Sequence, residues 1–142
     1  RAASGIDECR FVSVGRLGDY GQSLWEGMKQ SGYGHFAFER LGELEDSDVS
    51  RVLHSADFGI AVSPLEIIDK SGAVAAMREH GLPVIVTRFG PEATRSQVAG
   101  RPDLVLLDDR FQESLRAAKR LPCRETLPLV AEAFIKSLKA AE

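Results

Sequence analysis

Two short apolar runs, FGIAV at residues 58–62 and VIV at residues 84–86, decide the fold. Neither run alternates apolar and polar side chains, so we expect strands that are buried on both faces in a central parallel sheet. Between them, residues 72–80 have a helical pattern that is closed by Gly81 and Pro83, as helix ends often are. This order predicts a βαβ unit with parallel strands and a right-handed crossover.

The same alternation continues outward from this unit. We predict further strands at residues 11–15, 36–41 and 104–107, and helices at residues 22–30, after the capping residues 46–48, and at 112–120. The whole chain of 142 residues is therefore predicted to be one α/β domain with a doubly wound, Rossmann-like parallel sheet of about five strands and helices on both faces. The tail has apolar residues at helical spacing, which predicts a helix that docks on an apolar surface: Leu127, Val130, Ala131, Phe134 and Leu138.

Composition and charge exclude several classes of function. The hydrophobic content of 44% and charged content of 27% are ordinary for a globular protein, and the net charge of −3 offers no basic field to nucleic acid or an anionic membrane. No apolar run approaches the roughly 20 residues of a membrane-spanning helix, and residues 1–5 do not resemble a signal peptide. We therefore expect a cytoplasmic protein. Because Arg1 is not an initiator methionine, we also expect a fragment of a longer chain.

The two cysteines and the three histidines do not suggest catalysis or metal binding. Cys9 and Cys123 lie far apart with no ligand spacing around them, so two reduced thiols are a better interpretation than a disulfide, and no metal site is expected. His35, His54 and His80 are scattered along the chain, which favours structural roles. No serine, cysteine or histidine forms a recognisable nucleophile arrangement.

The most informative segment is SPLEIIDKSG at residues 63–72, which follows a predicted strand and opens a predicted helix. Ligands of open α/β sheets bind beyond the carboxyl ends of the strands. Ser71 and Gly72 lie where the free N–H groups of a helix start favour an anion, and Lys70 adds a positive charge. We predict a phosphate site here; the alternative is an ordinary capped, solvated turn.

A second candidate is GRLG at residues 15–18, at the end of the first predicted strand. Gly15 allows a tight turn, and Arg16 has the bidentate geometry that a diphosphate requires. The alternative is a surface arginine in a turn. The glycines do not form the G-x-G-x-x-G dinucleotide fingerprint.

Three carboxylates near the predicted helix at residues 72–80 are candidates for binding a ribose diol: Glu66, Asp69 and Glu79. A carboxylate accepts hydrogen bonds from vicinal hydroxyls. Each of them has the alternative of being a solvated surface charge.

Several motifs occur in an order that resembles a known family: LGEL at 41–44, VSRVL at 49–53, ADFGI at 56–60, SP at 63–64, KSG at 70–72 and GLPVIV at 81–86. The order is similar to that of the C-terminal domain of the large retaining GT-B glycosyltransferase family. VGRL at 14–17 and the stretch 90–121 also resemble that family, so the similarity spans almost the whole chain.

The resemblance implies that the chain holds a nucleoside-diphosphate sugar donor between two Rossmann-like domains. Arg16 matches the family's diphosphate-binding arginine, and Ser71-Gly72 matches its phosphate-binding turn. Asp69 stands where the family has the first glutamate of its Glu-x7-Glu motif. The chain departs from the family where a lysine is expected, near residues 20–21, and where the second glutamate would fall, three residues before Glu79. Only about ten residues separate the first helix from Leu41, where the family usually carries another strand and helix.

These observations predict the donor-binding domain of a GT-B glycosyltransferase, with the sugar nucleotide as substrate and no cofactor. We expect this chain to lack the acceptor half and therefore to carry out no transfer alone, and we expect its partner to be that half or a second copy bound through the C-terminal helix. A sugar-nucleotide epimerase is one alternative. The other is a non-enzymatic α/β signalling or binding module, for which an acidic Mg²⁺ cluster is expected in place of Gly15-Arg16.

Overall fold

A computed structural model describes residues 8–31, 36–90, 98–125, 128, 131–132 and 135–136. The elements in chain order are β1 (Cys9–Val14), α1 (Asp19–Gln30), β2 (Phe36–Gly42), α2 (Asp46–Ser55), β3 (Gly59–Ala61), a 3₁₀ helix (Leu65–Lys70), α3 (Gly72–Glu79), β4 (Val84–Val86), β5 (Leu104–Leu106) and α4 (Phe111–Ala117). Strands and helices alternate from β1 to β4, and α4 follows β5, which confirms the predicted α/β class.

The strands form two parallel sheets. In the first, β1 pairs with β2, and the register shifts between Ser13 and Val14. In the second, the order is β3-β4-β5, with Ile60 opposite Ile85 and Ile85 opposite Val105. Parallel pairing is confirmed, whereas one sheet of about five strands is not, because strand–helix alternation predicts direction but not which strands are neighbours.

The chain divides into two compact units, Arg1–Arg51 and Val52–Glu142. They are called the N-terminal unit and the C-terminal unit below, and each is described by itself. The assignment of residues 1–142 to a single domain stays a prediction.

Aromatic side chains hold the N-terminal unit together. Phe11 on β1 stacks on Phe38 of β2 with ring centroids 5.3 Å apart, and Trp25 of α1 meets Phe38 edge-on at 5.7 Å. Trp25 is buried, while its neighbour Leu24 is exposed. Aromatic pairs in these geometries add stability beyond the area that they bury.

Aliphatic side chains form the core of the C-terminal unit. Its buried members come from the three strands, the 3₁₀ helix and α3: Ala61, Leu65, Ile68, Val74, Val84, Val86, Leu104 and Leu106. Burial on both faces, predicted for residues 58–62 and 84–86, is wrong for β3, because Ile60 at its centre is 42% exposed. Every residue of β5 is buried. In this sheet β4 stands at the centre and β3 at one edge, so the central position predicted for both runs is confirmed for β4 and not for β3.

Two short features connect the elements of this core. The 3₁₀ helix lies in a segment predicted as a loop; Leu65 and Ile68 are three residues apart, the spacing that aligns side chains in a 3₁₀ helix, and both are buried. Gly81 follows α3 with φ +73°, and its carbonyl accepts the N–H of Leu121 at 2.9 Å. This left-handed conformation favours glycine.

Among the described residues, no helix has both the length and the apolar character that crossing a membrane requires. Neither Cys9 nor Cys123 forms a disulfide. Of the tail residues predicted to dock on an apolar surface, Ala131 is exposed, while Leu127, Val130, Phe134 and Leu138 lie outside the described residues.

Candidate functional site

The candidate site is the turn formed by Lys70, Ser71 and Gly72 between the 3₁₀ helix and α3. Ser71 is the N-cap of α3, and its hydroxyl oxygen accepts the N–H of Val74 at 3.4 Å. The N–H of Ser71 donates to the carbonyl of Ile68 at 3.1 Å. The hydroxyl therefore satisfies one of the free N–H groups that a helix start leaves, as a serine cap normally does.

Two donors and one charge at this turn remain available to a ligand. Gly72 is exposed, and a Cβ built on it meets no atom within 4 Å. Within the described ranges, the N–H groups of Gly72 and Ala73 have no acceptor, and the exposed Lys70 has no carboxylate partner. Backbone N–H groups at a helix start together with a nearby cation suit a phosphate or another small anion.

Asp69, which directly precedes this turn, is engaged by two arginines. Its Oδ1 and Oδ2 accept from the two Nη atoms of Arg101 at 2.5 and 3.2 Å, and Oδ1 also accepts from Arg78 Nη1 at 3.0 Å. The bidentate geometry is that of a strong arginine–carboxylate pair. Both oxygens that a ribose diol would use are thus already bonded.

Glu66 is engaged as well, at the first turn of the 3₁₀ helix. Its Oε1 accepts the N–H of Gly90 at 3.1 Å. Hydrogen bonds from its own backbone N–H and then from that of Gly90 lower the pKa of this exposed carboxyl. Together with the bond from Leu65 N–H to the Arg88 carbonyl at 2.9 Å, this contact joins the loops that follow β3 and β4, as predicted for loops at the carboxyl ends of neighbouring strands.

Glu79 is not brought to the Lys70 turn. It is the last residue of α3, about 10 Å along the helix axis from Gly72 at ~1.5 Å per residue. It lines a cleft of about 570 Å³ together with His54, His80, Cys123, Arg124, Glu125 and Pro128.

The two described histidines of this cleft have structural partners. The imidazoles of His54 and His80 meet edge-on with centroids 4.9 Å apart, and Nδ1 of His80 donates to the carbonyl of Ala76 at 2.8 Å. Arg120 donates to the carbonyl oxygens of both histidines, at 3.0 and 3.2 Å. These contacts agree with the structural roles predicted for His54 and His80; His35 lies outside the described residues.

Gly15 and Arg16 belong to the N-terminal unit. Gly15 has φ +95°, and its N–H donates to the carbonyl of Gly42 at 2.6 Å. Arg16 Nη2 is 2.8 Å from Glu43 Oε1, and both side chains are exposed. The loops that follow β1 and β2 therefore meet, as expected for parallel strands, and Arg16 is paired with a carboxylate of the second loop.

Three residues with a part in this site do not stand out in the sequence: Arg78, Arg101 and Asp103. Asp103 is the buried carboxylate that bonds to Nε of Arg78. Its partner is 25 residues away in the chain, and no local sequence pattern predicts a pair at that separation. A weak signal exists, because an aspartate immediately before the apolar run LVLL is well placed to be buried with the strand.

Neither a metal centre nor a relative provides further guidance. Among the described residues, no group of three or more histidine, cysteine, aspartate or glutamate side chains is arranged to hold a metal ion. No family model, curated protein or solved structure gives a significant match to this chain.

Proposed function

We propose that this chain binds a nucleoside-diphosphate sugar and is the donor-binding domain of a glycosyltransferase of the GT-B type. The observation that carries the proposal is the Lys70–Gly72 turn, which lies on the connection between the parallel strands β3 and β4 and opens α3. The exposed Lys70 precedes Gly72 and Ala73, whose N–H groups have no acceptor among the described residues, and this combination supports the binding of a phosphate. The proposal includes the doubly wound sheet of about five strands that the resemblance implies, and a cytoplasmic location.

The chemistry proposed for this turn is stabilisation of a leaving diphosphate. Glycosyl transfer releases a nucleoside diphosphate, and negative charge develops on it as the sugar departs. Fixed N–H donors and a lysine lower the energy of that charge without reorganising during the reaction. Lys70 supplies the charge, and Gly72 and Ala73 supply the N–H groups.

The other residues predicted to bind the sugar nucleotide are supported less directly than the Lys70–Gly72 turn. Asp69 and Glu79 are the carboxylates that the sequence offers for the ribose or the sugar, but the first is bonded to arginines and the second ends α3. The proposal therefore rests on the phosphate ligands. For Arg16, the resemblance implies a contact with the diphosphate. Its exposed pair with Glu43 is of the kind that contributes only ~0–1 kcal/mol, so releasing the arginine costs little.

Calorimetric titration of the chain with UDP and with GDP tests the proposal. Lys70→Ala is expected to weaken diphosphate binding by about 1.5–3 kcal/mol, roughly ten- to a hundredfold, the scale of a hydrogen bond to a charged group. Arg16→Ala is expected to weaken it by a similar factor. Higher ionic strength is expected to weaken binding of UDP more than binding of uridine, which has no charge to screen.

Lys119→Ala is the matched control, because Lys119 is also an exposed lysine. The neighbouring Arg120 donates to the carbonyl of His80, which places Lys119 near the opposite end of α3 from Lys70. This variant is expected to bind UDP like the parent. If Lys70→Ala and Arg16→Ala both bind like the parent, the phosphate assignment is wrong and the turn is only a helix start.

A further inference from the structure

Four charged side chains form a continuous chain of contacts beside the Lys70 turn. In order they are Arg101, Asp69, Arg78 and Asp103. They tie together the end of the 3₁₀ helix, α3 and the segment that enters β5. Asp103 is 7% exposed and its backbone carbonyl accepts the N–H of Val84 at 2.7 Å, so one end of the network is anchored in the sheet.

The other end of the network lies in the last turn of the 3₁₀ helix, at Asp69. The hydrogen-bond geometry of a 3₁₀ helix is poorer than that of an α-helix, so side-chain contacts can add to what fixes it. Here Ile68 is fully buried in the core, and the next residue, Asp69, is held by both Nη atoms of Arg101. Two consecutive side chains are therefore fixed immediately before Lys70.

We propose that Arg101 is a positioning residue for the Lys70–Gly72 turn and acts through the carboxylate of Asp69. Its place in ligand binding rests on the proposed function, whereas its effect on the turn does not. The side chain of Arg101 is 24% exposed and that of Asp69 is 65% exposed, so the pair lies at the surface. The effect of the pair rests on the bidentate geometry and on the link through Arg78 to the buried Asp103. Asp69 is thereby assigned to holding the turn and not to binding the ribose.

Hydrogen exchange at the amides of Ser71, Val74 and Ala75 reads out the turn directly. These N–H groups bond to Ile68 O, Ser71 Oγ and Ser71 O respectively. In Arg101→Gln we expect their exchange to accelerate by about fivefold, as for one bidentate ion pair in a network. The amides of Leu107 and Leu121, which bond elsewhere in the unit, are expected to keep the exchange rates of the parent.

Two further variants separate positioning from general destabilisation. Arg101→Lys retains the charge but not the fork of donors, so we expect exchange at the three turn amides between that of the parent and that of Arg101→Gln. In the double variant Asp69→Asn/Arg101→Gln, exchange at the three turn amides is expected to be no faster than in the more affected single variant, because both changes remove the same contact. The proposal is overturned if Arg101→Gln leaves the turn amides unchanged, or if Leu107 and Leu121 accelerate equally.

Binding of UDP distinguishes this inference from the function on which it rests. Arg101→Gln is expected to weaken UDP binding by about fivefold, in proportion to the loosening of the turn. If the parent binds no UDP, the proposed function is wrong, and the exchange measurement still decides whether Arg101 positions the turn. If the parent binds UDP and Arg101→Gln binds it equally well with unchanged exchange, only the positioning role is wrong.

Discussion

The two units differ in how strand length relates to burial. β1 and β2 have six and seven residues and pair along their length, yet neither contains a buried residue. β3, β4 and β5 have three residues each, and most of those residues are buried. A backbone hydrogen bond contributes only about 0.5–1.5 kcal/mol net, whereas a fully buried aliphatic side chain contributes about 1.5–3 kcal/mol. The sheet β3-β4-β5, whose strands are shorter, is therefore expected to be the more stable of the two.

The comparison also indicates where a precise site is best placed. Sites held by packed, well-supported side chains keep their geometry better than sites on lightly packed segments. The Lys70 turn follows the fully buried Ile68, whereas Arg16 lies on an exposed loop of the less buried unit. The following predictions test this contrast, beginning with the largest effect.

Ile68→Ala is expected to lower the free energy of unfolding of the C-terminal unit by about 2–5 kcal/mol, because it leaves a cavity in a closed core. Leu24→Ala in α1 is the matched change in the N-terminal unit. Leu24 is 52% exposed, so a loss within about 0.5 kcal/mol is expected. Urea denaturation of both variants measures these values, and equal losses would contradict the contrast between the units.

Gly81→Ala is expected to lower the free energy of unfolding, measured by urea denaturation, by about 2–4 kcal/mol. The reason is that the backbone has φ +73° and an added Cβ would lie 1.9 Å from the carbonyl oxygen of Leu121. Gly100→Ala is the control, with φ +81° and no atom within 4 Å of the added Cβ. It is expected to cost only the ~1 kcal/mol of a left-handed alanine. Similar losses in the two variants would show that the packing of Leu121 on Gly81 is unimportant.

Arg78→Ala is expected to cost about 2–3 kcal/mol, since it leaves the buried carboxylate of Asp103 without its cation. Arg51→Ala removes an arginine from an exposed pair with Asp48 on α2 and is expected to change stability by less than about 0.5 kcal/mol. Thermal denaturation in the same buffer compares them. A negligible effect of Arg78→Ala would mean that Asp103 finds another partner.

Glu66 predicts a small dependence of stability on pH. Hydrogen bonds lower the pKa of this carboxyl in the folded state below its ordinary value, so its contribution to stability is present above that ordinary pKa and is lost as the pH falls through the lowered pKa. The melting temperature of Glu66→Ala should therefore lie below that of the parent at neutral pH and approach it in acid. Glu66→Gln also lacks the ionisable group and should converge with the parent in acid, from a smaller difference at neutral pH, because its amide oxygen can still accept from Gly90. A difference between the parent and Glu66→Ala that is constant with pH would refute the interpretation.

The sequence predicted local structure better than the connections between distant residues. The strand Val84–Val86 and the start of α3 at Gly72 are confirmed to the residue, because an unbroken β-branched run and a Ser-Gly helix start are local signals. The 3₁₀ helix was missed since its signal, two apolar residues three apart, also fits a loop. The ion pair between Asp69 and Arg101 could not be predicted, because the two residues are 32 positions apart and no spacing rule relates such positions.

The most direct test of the proposed function is amide NMR mapping of UDP on the whole chain. The account predicts saturable shifts at the backbone N–H groups of Gly72 and Ala73, which are reduced in Lys70→Ala and retained in Lys119→Ala. Inorganic diphosphate should shift the same amides, because the proposed ligand atoms are those of the phosphates. Shifts confined to the cleft near His54 and His80, or no shifts with UDP, would contradict the assignment of the Lys70–Gly72 turn as the donor site.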